Sequence, residues 1–404
     1  MRAGYRGVDQ RALGIASLTG LRAVAALLVI GTHAAFATGK LSHGYVGLLY
    51  ARMEIGVPIF FVLSGFLLFR PWVDCAFAGW AHPSLGRYAR RRVSRVMPAY
   101  LATVLAAYGV FSLYSSGPNP AQSWAGLMRH LTLTQIYTNN YLLTYLHPGL
   151  SQTWSLAVEV AFYAALPLMA WALLVMLCRG RWRPVRLLVG LAAIGAVGPV
   201  WLIMLQGTDW LPNSAGMWLP GHLAWFAGGM ALAVLHVMGV NCLARVTIPL
   251  ALLGYLVVST PIAGTVAMGS VRWWEPLTKN LLYGSIATLV VASLVLGGGG
   301  WLNRLLSRRP IVWLGEISYE IFLLHVLVMA LLTGVVLKWP LFTGSLPGLY
   351  AMTLLITIPL AWALHHLTRH PTCTLSAFWN NAGRPVRVAE RPMKPTDPIA
   401  GGPR

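Results

Sequence analysis

The chain has 404 residues, of which 57% are hydrophobic and only 10% charged, and its mean hydropathy is +0.65. That composition excludes a soluble enzyme and predicts an all-α, polytopic bundle of membrane-crossing helices. The net charge of +20 raises nucleic acid as a partner, but the placement of the charges argues against that class.

Residues 1–13 form a short polar tail, 14–371 a single membrane domain, and 372–404 a basic tail rich in Pro and Gly whose composition predicts disorder. Apolar segments recur about every 20–40 residues. They predict ten spans, near residues 18–38, 55–72, 98–115, 152–177, 187–206, 221–239, 246–263, 280–298, 314–336 and 346–367. The first is too long to be a cleaved signal peptide and carries two ionisable residues. Between spans, Ser84–Met97 is a basic loop with Arg in nearly every turn. Residues 117–151 form the longest loop on the opposite side, with an interfacial helix near Gln122–Gln135 that sets Trp124 and Tyr137 at headgroup level.

With the N-terminus on the cytoplasmic side, 23 of the 30 Lys and Arg residues fall in cytoplasmic segments and six outside, with Arg22 inside a span. This is the positive-inside distribution, and it predicts both termini to be cytoplasmic in a bacterial plasma membrane. The basic segments favour anionic headgroups or a phosphorylated ligand. Cys75, Cys178, Cys242 and Cys373 form no C-x-x-C pair and read as free thiols, with no metal site.

Ionisable residues at membrane depth carry the functional signal, because burying them is costly. Arg22 and His33 lie eleven residues apart in LTGLRAVAALLVIGTHAAFAT. That places them on one helix face, roughly 16 Å apart along the axis. The bland alternative is a snorkelling Arg and a His bonded to a neighbouring helix. Glu159 stands alone in the apolar run SQTWSLAVEVAFY, at a depth comparable to His33. A carboxylate facing the imidazole would fix its tautomer and make it a general base; a structural pairing is the alternative. Ser64 in FFVLSGFLL lacks the first Gly of a nucleophile elbow and reads better as a packing contact.

Five segments in series resemble the membrane acyltransferase-3 family. The Leu21–His33 run resembles its Arg-x10-His signature, and GVPIFFVLSGFLL (Gly56–Leu68) its second span. RYARRRVSRVMPAY (Arg87–Tyr100) resembles its basic R-x-x-R element, TWSLAVEVAFY (Thr153–Tyr163) its Trp-Ser-Leu motif, and LGEISYEIFLLHV (Leu314–Val326) its Gly-x-x-Ser-Tyr…His segment. The likeness spans roughly residues 14–370. It departs at Arg369-His370-Pro371, where many members carry Glu-x-Pro.

The resemblance implies transfer of an acetyl or other short acyl group from acyl-CoA, commonly acetyl-CoA, to a hydroxyl of a cell-envelope glycolipid or carbohydrate, or of a small molecule. His33 would act as base and Glu159 would orient it. Arg90, Arg92 and Arg95 would take the phosphates of CoA, although those three are also explained by topology alone, and Arg22 would contribute to acyl-CoA binding where the pantetheine arm enters the bundle. Ser318, Tyr319 and His325 share a span and would border the acyl-CoA path, or pack structurally. A hydrophobic natural product such as a macrolide is a second acceptor class, and a glycolipid flippase is the rival function. Cysteine-accessibility labelling is expected to place positions 90–95 and the segment beyond Thr372 on the cytoplasmic side and position 139 outside. Labelling of that last segment from outside would contradict the ten-span topology.

Overall fold

Most of the described residues are helical, and there is no strand among them. The computed structural model describes residues 2–114, 119–138, 147–208, 210–265 and 272–368, apart from the side chains of 2–15 and 213. Position 139, the Arg369-His370-Pro371 departure and the basic tail lie outside these residues.

The first helix, α1 (Arg2–Ala37), contains the first expected span. It stops where Thr38 turns its hydroxyl back onto the Ala34 carbonyl (2.8 Å) and Gly39 adopts a left-handed conformation (φ 71°), which is how glycine commonly terminates helices. A short helix α2 (Gly44–Arg52) and a 3-10 turn, Met53–Ile55, lead into α3 (Gly56–Ala78). Next comes α4 (Leu85–Leu113), in which the basic segment and the third span form one continuous helix through Pro98. The sequence reading had separated them as loop and span. One missing backbone donor at Pro98 does not end the helix, because the apolar face beyond it (Ala99, Tyr100, Thr103, Val104, Ala107) is fully packed.

The expected interfacial helix is α5, shortened to Trp124–Leu131 and capped by Ser123, whose hydroxyl accepts the Gly126 N–H (3.1 Å). Then follow α6 (Trp154–Trp171), α7 (Pro184–Gly207), α8 (Leu219–Val237), α9 (Ala244–Val258) and α10 (Trp274–Val295). Two short helices, α11 (Trp301–Leu306) and α12 (Arg309–Glu316), precede α13 (Ser318–Leu331) and α14 (Leu346–Thr368). Among the described residues nine helical segments are long and apolar enough to cross a membrane. The remaining expected span corresponds to α9, a shorter apolar helix of 15 residues.

Packing is tightest between α3 and α8. A Cβ at Gly229 would overlap the Val62 carbonyl, so the two backbones meet directly, the small-residue contact that apolar surroundings favour. Phe226 stacks between Phe61 (4.5 Å) and Phe162 (3.9 Å), bringing α6 into the same core. α1 lies against α3, α12 and α13. Elsewhere large apolar side chains stay exposed, among them Leu168, Val189, Leu252 and Leu355, as a lipid-facing surface requires.

The long loop is pinned to the end of α4. Tyr108 donates to the Ala121 carbonyl (2.8 Å), and Gln122 donates to the Tyr108 carbonyl (2.8 Å). His147 Nε2 donates to Gln122 Oε1 (2.7 Å), and its Nδ1 accepts the Gly149 N–H (3.1 Å). That pattern uses the neutral imidazole, with one donor and one acceptor. Burial, and secondarily the nearby His130, push His147 down to about 3. A folded-state value below the ordinary 6.5 means that the unfolded chain binds the proton first. This contribution is therefore complete above pH 6.5 and declines by about 1.4 kcal/mol per pH unit below it, towards pH 3. Amide exchange around 119–124 and 147–150 is expected to accelerate as pH falls through this window, once corrected for intrinsic rates. His147→Gln should flatten that dependence.

Candidate functional site

Polar side chains gather within the bundle in two places. The first surrounds His33, in the last turns of α1. Its imidazole meets that of His325 on α13 edge to face, with ring centroids 5.1 Å apart. His325 is fully buried. Its Nδ1 donates to the Phe322 carbonyl (2.7 Å), so in the neutral ring Nε2 carries the lone pair, and that atom has no hydrogen-bond partner among the described residues.

The carboxylate that acts electrostatically on His33 is Glu54, in the turn before α3. Two contacts bring that turn to α1: Thr32 donates to the Ala51 carbonyl (3.2 Å), and Gly56 leaves no room for a side chain against the Ala25 carbonyl. Glu54 is paired with Lys279 of α10 (2.7 Å) and accepts a hydrogen bond from Tyr283 (2.9 Å). Both members of the pair keep over a third of their side-chain surface accessible, 40% for Glu54 and 38% for Lys279, so the pair borders open space. Beside it Arg52 is 4% exposed and spends its guanidinium on the carbonyls of Val258 (2.9 Å), Ala263 (3.0 Å) and Gly264. It thereby ties α2 to the end of α9 and holds the turn that carries Glu54.

The second group lies further along α3 and α6, towards the basic half of α4. Ser64 donates to Glu159. Tyr163, one turn beyond Glu159, lies within the electrostatic reach of Glu159, Arg92 and Arg95. The Arg92 guanidinium carbon is 6.0 Å from the Tyr163 ring centroid, and Tyr88 donates to the Tyr163 carbonyl (3.0 Å). Tyr319 donates to the Val96 carbonyl (2.9 Å), tying α13 to α4. Arg92 and Arg95 are half-buried and Arg90 is exposed.

Two expectations change. Glu159 was expected to face His33, but it bonds to Ser64, and Glu54 is the carboxylate acting on His33. Equal depth along two helices does not fix lateral position: α3 lies against both α1 and α6, and the turn before it supplies Glu54 while α3 itself supplies Ser64. His325, expected along the donor path, stands beside His33. Ser318 is fully buried and donates to the Gly315 carbonyl (2.8 Å), a local contact at the start of α13. Arg22 is half-buried on α1, three turns from His33. Sequence reasoning missed Glu54, Lys279 and Arg52 because they precede or flank spans and read as ordinary loop charges. The available signal was Met53-Glu54 immediately before an apolar run. Among the described residues no group of three or more His, Cys, Asp or Glu could hold a metal.

A family model described as an acyltransferase domain, that of the acyltransferase-3 family, matches residues 15–366. The chain is 27% identical over 345 residues to the peptidoglycan O-acetyltransferase OatA of Listeria monocytogenes, covering 80% of this chain and 50% of that protein. The chain thus spans about half the length of OatA. It is 28% identical over 414 aligned residues to the acyltransferase MdmB of Streptomyces mycarofaciens, covering 96% of this chain and 97% of that one. No solved structure matches.

The two carboxylates should separate kinetically. Glu54→Gln is expected to lower kcat about tenfold or more and to alter its pH profile, because the charge beside His33 is gone. Glu159→Gln is expected to act chiefly on KM for the acyl donor, through Ser64 and the Arg92 surroundings. Steady-state kinetics in lipid nanodiscs, varying each substrate in turn, checks both.

Proposed function

The chain belongs to the acyltransferase-3 family and is a multi-pass membrane acyltransferase, and from that premise we propose that it transfers an acetyl or other short acyl group from cytoplasmic acyl-CoA to a hydroxyl of a cell-envelope glycolipid or carbohydrate. The observation that carries the reading is the pairing of His33 with His325 beside Glu54, in a part of the bundle where Glu54 and Lys279 remain accessible.

The chemistry follows from these groups. The acceptor hydroxyl gives its proton to His33 as its oxygen attacks the thioester carbonyl. The C–O bond forms, the tetrahedral intermediate collapses and the C–S bond breaks. The CoA thiolate then takes the proton back from His33, leaving an ester, CoA thiol and a neutral imidazole. Glu54 stabilises the imidazolium present between the two proton transfers. The lone pair on His325 Nε2, without a partner among the described residues, is available to the other N–H of His33 during turnover.

The donor enters from the basic end of α4. Guanidinium groups pair with phosphate bidentately, and Arg90, Arg92 and Arg95, with Arg22 on α1, present four of them. The positive-inside distribution supports a cytoplasmic location for this end, where CoA is found. The pantetheine arm would then run past Tyr163 and Tyr319 towards His33. The size of OatA relative to this chain leaves its named acceptor, peptidoglycan, as one candidate among envelope carbohydrates.

His33→Ala is expected to lower acyl transfer ~10²–10⁴-fold, the usual cost of losing a general base, with folded yield and acyl-CoA binding retained. Replacing Arg92 and Arg95 by Ala should weaken acyl-CoA binding instead. Release of CoA thiol from purified protein in nanodiscs reads the first and calorimetric titration the second. Wild-type turnover in His33→Ala would overturn the assignment.

A further inference from the structure

The turn between α6 and α7 carries four arginines that the acyl-transfer chemistry leaves unused. Arg179, Arg181, Arg183 and Arg186 fall within eight residues, and no Asp or Glu occurs in the sequence between Glu159 and Asp209. Arg179, Arg181 and Arg186 are exposed and Arg183 is half-buried. Among the described residues none of the four guanidinium groups has a hydrogen-bond or ion-pair partner. Arg52, Arg70 and Lys279, by contrast, each engage carbonyls or a carboxylate.

The turn that presents them is firmly built. A π-helical stretch, Ala172–Leu177, continues α6. The chain then reverses through Arg179 (φ 54°) and Gly180 (φ 66°), both left-handed. The Gly180 N–H donates to the Leu174 carbonyl (3.0 Å) and the Arg181 N–H to the Cys178 carbonyl (3.2 Å). Trp182 packs edge to face on Phe77 at the end of α3, with ring centroids 5.4 Å apart. Arginine is an uncommon choice for a left-handed position, which Gly or Asn would fill with less strain. An apolar wall adjoins the turn. α7 is the least buried of the long apolar helices described. Trp171 and Met176 on one side, and Val185 and Val189 on the other, are large, apolar and exposed. A Cβ at Gly190 would overlap Leu173 and Leu177, so the two helix ends meet closely.

We propose that this turn binds a diphosphatidyl lipid of the cardiolipin class. Its two phosphates are held by Arg179, Arg181, Arg183 and Arg186, and its acyl chains lie along the exposed faces of α6 and α7. Guanidinium groups pair with phosphate bidentately, and basic pockets at the ends of membrane helices recognise such headgroups. Four unpaired cations exceed what one phosphate neutralises, which favours two phosphates in one molecule. A soluble phosphate ester would meet the arginines but leave the apolar wall uncovered. A zwitterionic lipid would cover the wall but bring an ammonium group against the arginines. None of these residues takes part in the proposed acyl transfer, so the lipid site stands or falls separately from it.

The test uses the full chain in phosphatidylcholine nanodiscs doped with either tetraoleoyl cardiolipin or dioleoyl phosphatidylglycerol at equal total lipid charge. Native mass spectrometry reads the lipid retained, and the thermal midpoint reads the stabilisation. Cardiolipin is expected to be retained about tenfold over phosphatidylglycerol and to raise the midpoint more. The triple variant Arg179→Gln, Arg181→Gln, Arg186→Gln should lose both preferences. The triple variant Arg304→Gln, Arg308→Gln, Arg309→Gln removes as much charge from another exposed basic segment and should keep both. If the first variant does not insert correctly, Arg179→Lys, Arg181→Lys, Arg186→Lys provides the reading. It preserves the positive-inside signal without the planar fork, and should weaken the preference about threefold or more. Equal retention of the two lipids in the wild type, an undiminished preference in the inserted site variant, or equal loss in the two Gln variants overturns the site. Displacement of cardiolipin by adenosine 3′,5′-bisphosphate would assign the arginines to a soluble phosphate and overturn it as well.

Discussion

A carboxylate at the edge of an apolar bundle is held in place by positive charge and hydrogen-bond donors, and the contact between Glu54 and Lys279 at 2.7 Å is where this constraint shapes the protein. Both side chains keep over a third of their surface accessible, so the pair matters more for where it holds its segments than for any large desolvation cost it offsets. The pair draws α10 against the turn before α3. Tyr283 adds a donor from one turn further along α10, and Arg52 fixes the turn from the other side through three backbone carbonyls. His33 then faces a negative charge whose position is set by four separate segments. In the proposed chemistry, an imidazole held this way would need little reorganisation when it takes up a proton.

The helix that follows Glu54 also sets the distance between the two polar groups of the bundle. α3 begins beside α1 at Gly56 and Ala25. Eight residues on, roughly 12 Å along the axis, it offers Ser64 to Glu159. Beyond that point the polar groups are arginines and tyrosines of α4 and α6. On the proposed function, the bundle would keep proton transfer and phosphate binding at different depths. A long, flexible donor can span such a distance, whereas a compact one cannot. Direct backbone contact between α3 and α8 at Gly229 and Val62 makes this spacing rigid.

Much of this was legible in the sequence, for physical reasons. Apolar runs of about 20 residues must become helices where water cannot satisfy the backbone, so the spans appeared close to where the structure has them. Arg22 and His33 were legible because they sit on one helix, where spacing alone fixes their relation. Relations between helices were not. The partner of Glu159 proved to be Ser64, and the carboxylate near His33 proved to be Glu54, because lateral neighbours depend on which helices pack together. His325 was visible as a buried histidine, but its place beside His33 was not. The extent of α4 was misjudged for a simpler reason. Its basic half looks like a loop by composition, yet Arg is a good helix former and Pro98 removes only one backbone donor.

The central claim is that one bundle joins a donor bound at its basic, cytoplasmic end to an acceptor deprotonated by His33 towards the opposite face. Vectorial transfer in oriented proteoliposomes tests it most directly. Radiolabelled acetyl-CoA is supplied only on the side of the Arg87–Arg95 end, with envelope glycolipid as acceptor in the membrane. CoA thiol should then appear on the donor side, and labelled ester should appear on headgroups accessible from the opposite side. Supplying the donor on the other side should give neither product. Labelled ester confined to the donor side, or equal activity from both sides, would contradict the account.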